Sequence, residues 1–283
     1  MTPFVDMKIL DFFYDKLSGL QKKKSRNVAL VLGGGGARGY AHIGAIEALQ
    51  EHGYNITSVA GTSMGALVGG LFAAGKLQEM KDTIFGLKRK QILSLMDISF
   101  GLDHIASGEK LQKFLEQMTG NIRIEDLPIN FCCVASDVAS GKEFVFREGS
   151  LGEAIRASIS IPCVFSPVRI TDHIFVDGSV HNTLPLNRVA RNKGDILVAV
   201  NASAPNEKPL EPFTAKGTPR KKLVWSMALR VAQLSIQNNT QMAEQLTPPG
   251  ICVNVPMDKY GLFDFDKGPE IIEYGRRAME QQL

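Results

Sequence analysis

Cysteine is scarce in this chain of 283 residues: there are four, Cys132, Cys133, Cys163 and Cys252. Their spacing matches no metal site, and the adjacent pair sits in the apolar run Phe131-Cys132-Cys133-Val134-Ala135. They read as reduced, buried packing residues, neither a metal site nor a disulfide framework. An excess of charge of one sign is also lacking. The 32 Lys and Arg against 29 Asp and Glu leave a net +3, without the strongly basic stripe of a nucleic-acid binder. A secretory signal is missing, since Asp6 and Asp11 break the apolar N-terminus and no basic n-region or cleavage site is present, so a cytoplasmic location is expected. One uncharged run, residues 53–75, is long enough to span a bilayer. Its six glycines, with Asn55, Thr57, Ser58, Thr62 and Ser63, fit a strand, a turn and a buried helix better than a lipid-facing helix.

What is present is apolar material for a large core, at 44% of residues, arranged in recognisable periods. Val5, Ile9, Phe12, Phe13, Leu17 and Leu20 recur at helical spacing ahead of Lys22-Lys23-Lys24 and Arg26. Residues 1–27 therefore read as an amphipathic helix and basic linker before a single domain at 28–283, with its motifs in 28–201 and a helical part at 202–283. The run Val28-Ala29-Leu30-Val31-Leu32 predicts a buried strand, 40–52 a helix, 57–61 a second strand and 66–74 a second helix. That β-α-β-α opening predicts an α/β fold, a mainly parallel sheet covered on both faces with its first two strands side by side. Residues 77–119 read as mostly helical around a loop at 100–108. Strands are expected at 129–136, 143–146, 174–177, 196–201 and 251–255, a long exposed loop at 202–222, and a helix at 223–246. No internal repeat occurs.

Three elements carry chemistry. The first is Gly33-Gly34-Gly35-Gly36-Ala37-Arg38-Gly39, between the first strand and helix, with a G-x-G-x-x-G match at Gly34, Gly36 and Gly39. A dinucleotide site would need an acidic residue at the end of the next strand, and a P-loop would need Gly-Lys-Ser/Thr; neither is present. There remain bare backbone N–H groups at a helix N-terminus, suited to developing negative charge. The second is Gly61-Thr62-Ser63-Met64-Gly65, a G-x-S-x-G between strand and helix, the context of a nucleophile elbow as well as of an ordinary glycine-rich turn. The third is Asp177-Gly178-Ser179, after Ile174-Phe175-Val176, where Asp-Gly alone reads as a turn.

In this order the three resemble the patatin-like phospholipase family, over about residues 28 to 201. Arg38 in the glycine loop and the stretch Ile155-Arg156-Ala157-Ser158 through Ile161-Pro162 and Phe165 add to the likeness. Ser179 departs from the glycine or alanine usual there. The chain looks most similar to the short bacterial members related to the catalytic domain of neuropathy target esterase. The resemblance implies a three-layer α/β/α, patatin-like architecture and a lipid acyl hydrolase acting on a lipid ester such as a (lyso)phospholipid. It further implies Ser63 as nucleophile, Asp177 as general base without histidine, Gly35 and Gly36 as oxyanion donors, and no metal or cofactor. Arg38 is assigned to shaping the loop.

Two rival readings stay open. Ser63, Asp137 or Asp177, and His181 follow the chain order of an α/β-hydrolase triad, while His42, His52, His104 and His173 read as packing or surface residues. A membrane-associated regulator of the same fold is the other. Residues 4–20 and the basic clusters at 22–26, 88–90 and 220–222, with Trp225 beside the last, would suit peripheral contact with an anionic bilayer or equally a packed helix and solvated charge.

Overall fold

The computed structural model describes residues 26–86, 89–95, 106–208 and 220–283. The expected helix at 4–20, the lysines at 22–24, His104 and most of the loops at 100–108 and 202–222 lie outside the described residues. So do Lys88 and the side chains of Arg89, Arg220, Lys221, Lys222 and Trp225. From Asn27 the chain alternates as β1 (Asn27–Leu32), α1 (Ala41–Glu51), β2 (Asn55–Thr62) and α2 (Met64–Ala73). Three helices follow, α3 (Leu77–Phe85), α4 (Arg89–Leu95) and α5 (Glu109–Thr119). Next come β3 (Asn130–Asp137), β4 (Lys142–Phe146), α6 (Leu151–Ser158), β5 (Val168–Ile170) and β6 (His173–Asp177). The chain closes with β7 (Ile196–Ala204), α7 (Arg220–Leu246), β8 (Ile251–Pro256) and α8 (Gly268–Glu280).

The strands form one mixed, mostly parallel sheet in the order β5-β6-β3-β2-β1-β7-β8, with β4 also paired to β3. β1 and β2 are adjacent and parallel, Leu30 facing Val59 and Leu32 facing Gly61, so both turns that follow them open at the same sheet edge. Along β1, Val28, Leu30 and Leu32 enter one core cluster, while Ala29 and Val31 enter the other, the period-two signature of a strand buried on both faces. Helices lie on both sides of the sheet. The first cluster takes in buried residues of α1, α2, α5, α6 and α8. The second is smaller: Ala29, Val31, Ala60, Cys132, Leu197 and Ala199 of the sheet meet Leu184 and Leu186, with Val189 and one residue of α7, Ala243, packed against them. Helices α1 and α8 touch backbone to backbone: a Cβ at Gly44 would overlap the Ile272 carbonyl, and one at Gly275 the Ala41 carbonyl. Arg276 of α8 then reaches Glu47 and Glu51 of α1 at 2.6 and 2.5 Å.

Residues 53–75 are β2, the Ser63 turn and α2, and among the described residues no helix is long and apolar enough to cross a membrane. Three expectations need correcting. Strand β7 runs on to Ala204, where a loop was expected, because Asn201 and Ala204 still pair with Asn254 and Pro256 of β8. Strand β5 was not foreseen, being three residues paired only to β6. Cys163 is exposed and not a packing residue: it sits at φ 66° after Pro162, a left-handed turn that directs its side chain outward, whereas Cys132 and Cys133 are buried.

Candidate active site

Thr62, the last residue of β2, faces Val134 of β3, and Asp177, the last of β6, faces Ala135. Because β4 occupies the other edge of β3 over Cys133–Asp137, β2 and β6 share one edge and run toward each other. Their C-terminal ends therefore meet head to head. The contact is close: a Cβ on Gly178 would overlap the Val134 carbonyl and come within 3.0 Å of the Thr62 methyl group.

Ser63 follows Thr62 with φ 54° and ψ −122°, a conformation that side-chain-bearing residues rarely adopt. Its neighbours leave no room for anything but glycine, since a Cβ at Gly61 would overlap the Gly65 carbonyl and one at Gly65 the Leu32 carbonyl. The turn is held by its backbone: Ser63 N donates to Ser158 Oγ at 2.9 Å, and Ser63 O accepts from the amides of Ala66 and Leu67 as α2 begins. Ser158 Oγ in turn donates to Val134 O at 2.6 Å, and Thr62 Oγ1 donates to Asn182 O at 2.8 Å. The result is that Ser63 Oγ donates to Asp177 Oδ2 at 2.5 Å, both side chains being buried.

Asp177 Oδ1 accepts from Ser179 N at 2.8 Å, and Asp177 N donates to Ser160 O at 2.8 Å. Burial pushes the Asp177 carboxyl above its ordinary range; hydrogen bonds from Ser63, the Ser179 amide and the Ser179 hydroxyl only partly offset this. The Ser179 side chain lies directly over Gly34, where a Cβ would overlap its hydroxyl.

The glycine loop closes over Ser63, with a Cβ at Gly34 falling 3.3 Å from that of Ser63. It is clamped on several sides. Gly33 N, Gly34 N and Ala37 N donate to the carbonyls of Val200, Thr183 and Leu262, and Gly34 O accepts from Ser203 Oγ at 2.7 Å. Arg38 is buried and donates from Nε to Ala202 O at 2.7 Å and from Nη1 to Tyr260 O at 2.9 Å. Burial pushes its guanidinium down to about 10, and the charge of the Asp264 carboxylate offsets this only in part. Gly36 has φ 56°, open to glycine, and starts a single 3-10 turn through Gly39 and Tyr40 in which Met64 packs against Gly39. The amides of Gly35 and Gly36 donate to no acceptor among the described residues.

Among the described residues, the histidines stand apart from the pair. His181 is exposed, with Nε2 3.2 Å from Gly141 O. Asp137 is occupied by its own hairpin and by β6: its carboxylate accepts from the Ser140 hydroxyl and the amides of Ala139 and Ile174 and lies 2.9 Å from His173 Nδ1, which together hold it below the usual carboxylate range. His42 is fully buried, its Nε2 2.8 Å from Gly33 O. Burial pushes it down to about 4, so the neutral ring donates from Nε2 and pins the glycine loop.

A narrow cavity of about 70 Å³ opens beside Ser63 and Gly36, walled by apolar side chains that include Met64, Leu67, Leu111, Phe114, Phe165 and Phe265. Sequence reasoning named none of these walls from α3–α5 and from 262–265. It also passed over Ser158 and His42 as supports of the Ser63 turn and the glycine loop; the i, i+3 step from Ile155 to Ser158 marks only a helix.

Residues 30–190 match the family model described as Patatin-like phospholipase. An uncharacterized NTE family protein of Mycobacterium tuberculosis is 43% identical over 185 residues, 65% of this chain and 51% of that relative. The lysophospholipase NTE1 of Saccharomyces cerevisiae is 27% identical over 278 residues, 88% of this chain and 16% of the yeast protein. The chain thus spans about half the length of that mycobacterial relative and less of the yeast one. Among solved structures, VipD from Legionella pneumophila aligns with a TM-score of 0.56 at 15% identity over 92% of this chain and 66% of that one, a likeness of fold.

Proposed function

The chain belongs to the patatin-like phospholipase family, which implies lipid acyl hydrolysis, and from that premise we propose that it cleaves a fatty-acyl ester of a lysophospholipid or phospholipid with Ser63 and Asp177. The observation that carries this reading is the hydrogen bond from Ser63 Oγ to Asp177 Oδ2 at 2.5 Å at the mouth of an apolar cavity. As Ser63 Oγ attacks the ester carbonyl carbon, its proton passes to Asp177, and the carbonyl oxygen becomes an oxyanion. The Gly35 and Gly36 amides are the donors for that charge, each worth about 10²- to 10³-fold in rate. Collapse of the intermediate expels the alcohol, which takes the proton from Asp177. Water then attacks the acyl-serine, Asp177 accepts its proton, and the fatty acid leaves as Ser63 is restored. A raised Asp177 carboxyl makes this direct transfer feasible, because a base works best when its pKa approaches the working pH. The narrow apolar cavity beside Ser63 favours a substrate with one acyl chain to bury, in keeping with relatives named lysophospholipases.

A fluorophosphonate probe tests the reading. Labelling should map to Ser63, and Ser63→Ala and Asp177→Asn should each remove hydrolysis of lysophosphatidylcholine. Labelling elsewhere, or activity that persists in Ser63→Ala, would overturn it.

A further inference from the structure

Among the described residues, the C-terminal part of helix α7 is anchored to the sheet and the turn after β6. Asn239 Nδ2 donates to Ser179 O at 3.1 Å, Asn239 Oδ1 accepts from Thr183 N at 3.4 Å, and Ala243 joins the second core cluster. From Asn239 back to Arg220 the helix runs about 28 Å at the ordinary rise per residue. Over residues 227–235 every residue except Arg230 is exposed. The exposed residues include Val224, Met227, Leu229, Val231 and Leu234, each keeping at least 44% of its surface. Val224, Met227, Val231 and Leu234 recur at steps of three and four and so share one side of the helix. An isolated exposed leucine needs no explanation, but an apolar stripe along a helix that leaves the body does.

The charge of the helix says what would cover it. Residues 220–243 hold Arg220, Lys221, Lys222 and Arg230 and no carboxylate. The first, Glu244, is turned to the body, where it accepts from Asn201 Nδ2. A helix with an apolar stripe and only cations is matched to an anionic lipid surface, where the stripe enters the acyl boundary and the cations meet headgroups. A second copy fits less well, because paired helices recognise one another through opposite charges beside the stripe, and here both would bring cations. The helix also falls short of the apolar length needed to cross a bilayer, so it would lie along the interface.

We propose that the N-terminal part of α7, about residues 220–235, is an interfacial element that docks this protein on anionic membranes. Its anchor at Ser179 O is two residues from Asp177, and the exposed Val180 lies at the same edge. Docking there brings the Ser63 edge of the sheet to the membrane. The inference rests on the hydrolase reading for its purpose, delivery of the site to lipid, but not for its test.

The test is cosedimentation of the full chain with vesicles of dialkyl phosphatidylcholine, alone or mixed with dialkyl phosphatidylglycerol. These lipids hold no acyl ester, so binding is read whether or not Ser63 does the chemistry. The chain should bind the mixed vesicles, bind the neutral ones much more weakly, and lose affinity as salt rises. Met227→Asp/Val231→Asp should weaken binding to the mixed vesicles about tenfold or more. These side chains are exposed, and an unchanged thermal midpoint would show that the fold is intact. Equal binding by the double variant would overturn the proposal and move the contact to another segment, residues 1–20 among them. Absence of binding by the unmodified chain, with a self-association that the double variant abolishes, would overturn it in favour of a second copy.

Discussion

Thr62 and Asp177 face consecutive residues of β3, Val134 and Ala135, from strands that run toward each other along one edge. A parallel strand and an antiparallel strand thus deliver their C-terminal ends to one point, and Ser63 and Asp177 meet although 114 positions separate them. The carboxylate is brought to the serine by sheet register, with no intervening ring.

The acid limb of kcat/KM should follow from that contact. Burial raises the Asp177 carboxyl, so activity on a short-chain ester should fall on acidification with a midpoint above the ordinary value of 3.8. Ser179→Ala removes a hydroxyl that stabilises the charged form and should move the limb higher still. His181→Ala should leave it in place; displacement of the limb by the histidine variant would return His181 to the reaction.

Stability should respond to the same group in a defined direction. The native state binds the Asp177 proton more tightly than the unfolded chain does. The stability it contributes is therefore complete below the ordinary carboxylate range and lost as pH rises through the raised native value. Asp177→Asn should consequently melt at a higher temperature than the unmodified chain at neutral pH, with the difference narrowing as pH falls toward 3.8. Melting curves across that pH range decide it, and a variant less stable at neutral pH would contradict the argument.

Ser158 should behave as a positioning residue. Its hydroxyl accepts from Ser63 N and donates to Val134 O, so Ser158→Ala leaves a buried donor and a buried acceptor unmatched, at about 1–3 kcal/mol each. Loosening the turn should lower kcat by tenfold or more while KM changes little, because the cavity walls are untouched. Steady-state kinetics separate this from a purely structural loss, which would lower the active fraction but leave kcat per labelled Ser63 unchanged.

Chain-length preference should be set by the narrow cavity. Leu111→Trp places a larger ring in a space of about 70 Å³ and should depress kcat/KM for long-chain esters about tenfold or more relative to short-chain ones. A panel of p-nitrophenyl esters measures the ratio, and an unchanged ratio would remove this cavity as the acyl site.

The order of elements was legible because its causes are local. Val28 to Leu32 is apolar throughout and β-branched in part, so it reads as a strand buried on both faces; Gly61-Thr62-Ser63-Met64-Gly65 reads as a crowded turn because only glycine tolerates the neighbouring carbonyls. Adjacency of the first two strands followed from the handedness of a short crossover. Asp177 became meaningful only in combination with the other motifs, since Asp-Gly by itself marks a turn.

The sequence by itself therefore determined the fold class, the family and the two tight turns that carry Ser63 and Asp177, all of which are written in short-range sterics and motif order. Tertiary structure alone decided what supports and surrounds them. Ser158 lies 95 positions from Ser63, and the carbonyls that hold Arg38 lie 164 and 222 positions away. The cavity is walled by residues of α4, α5 and 262–265 that are ordinary apolar residues in the linear chain. The exposed stripe of α7 has the same apolar spacing as a buried helix, and nothing in a periodicity tells whether another element covers it. Packing partners are chosen by the closed shape of the whole chain, and that information is absent from any local window.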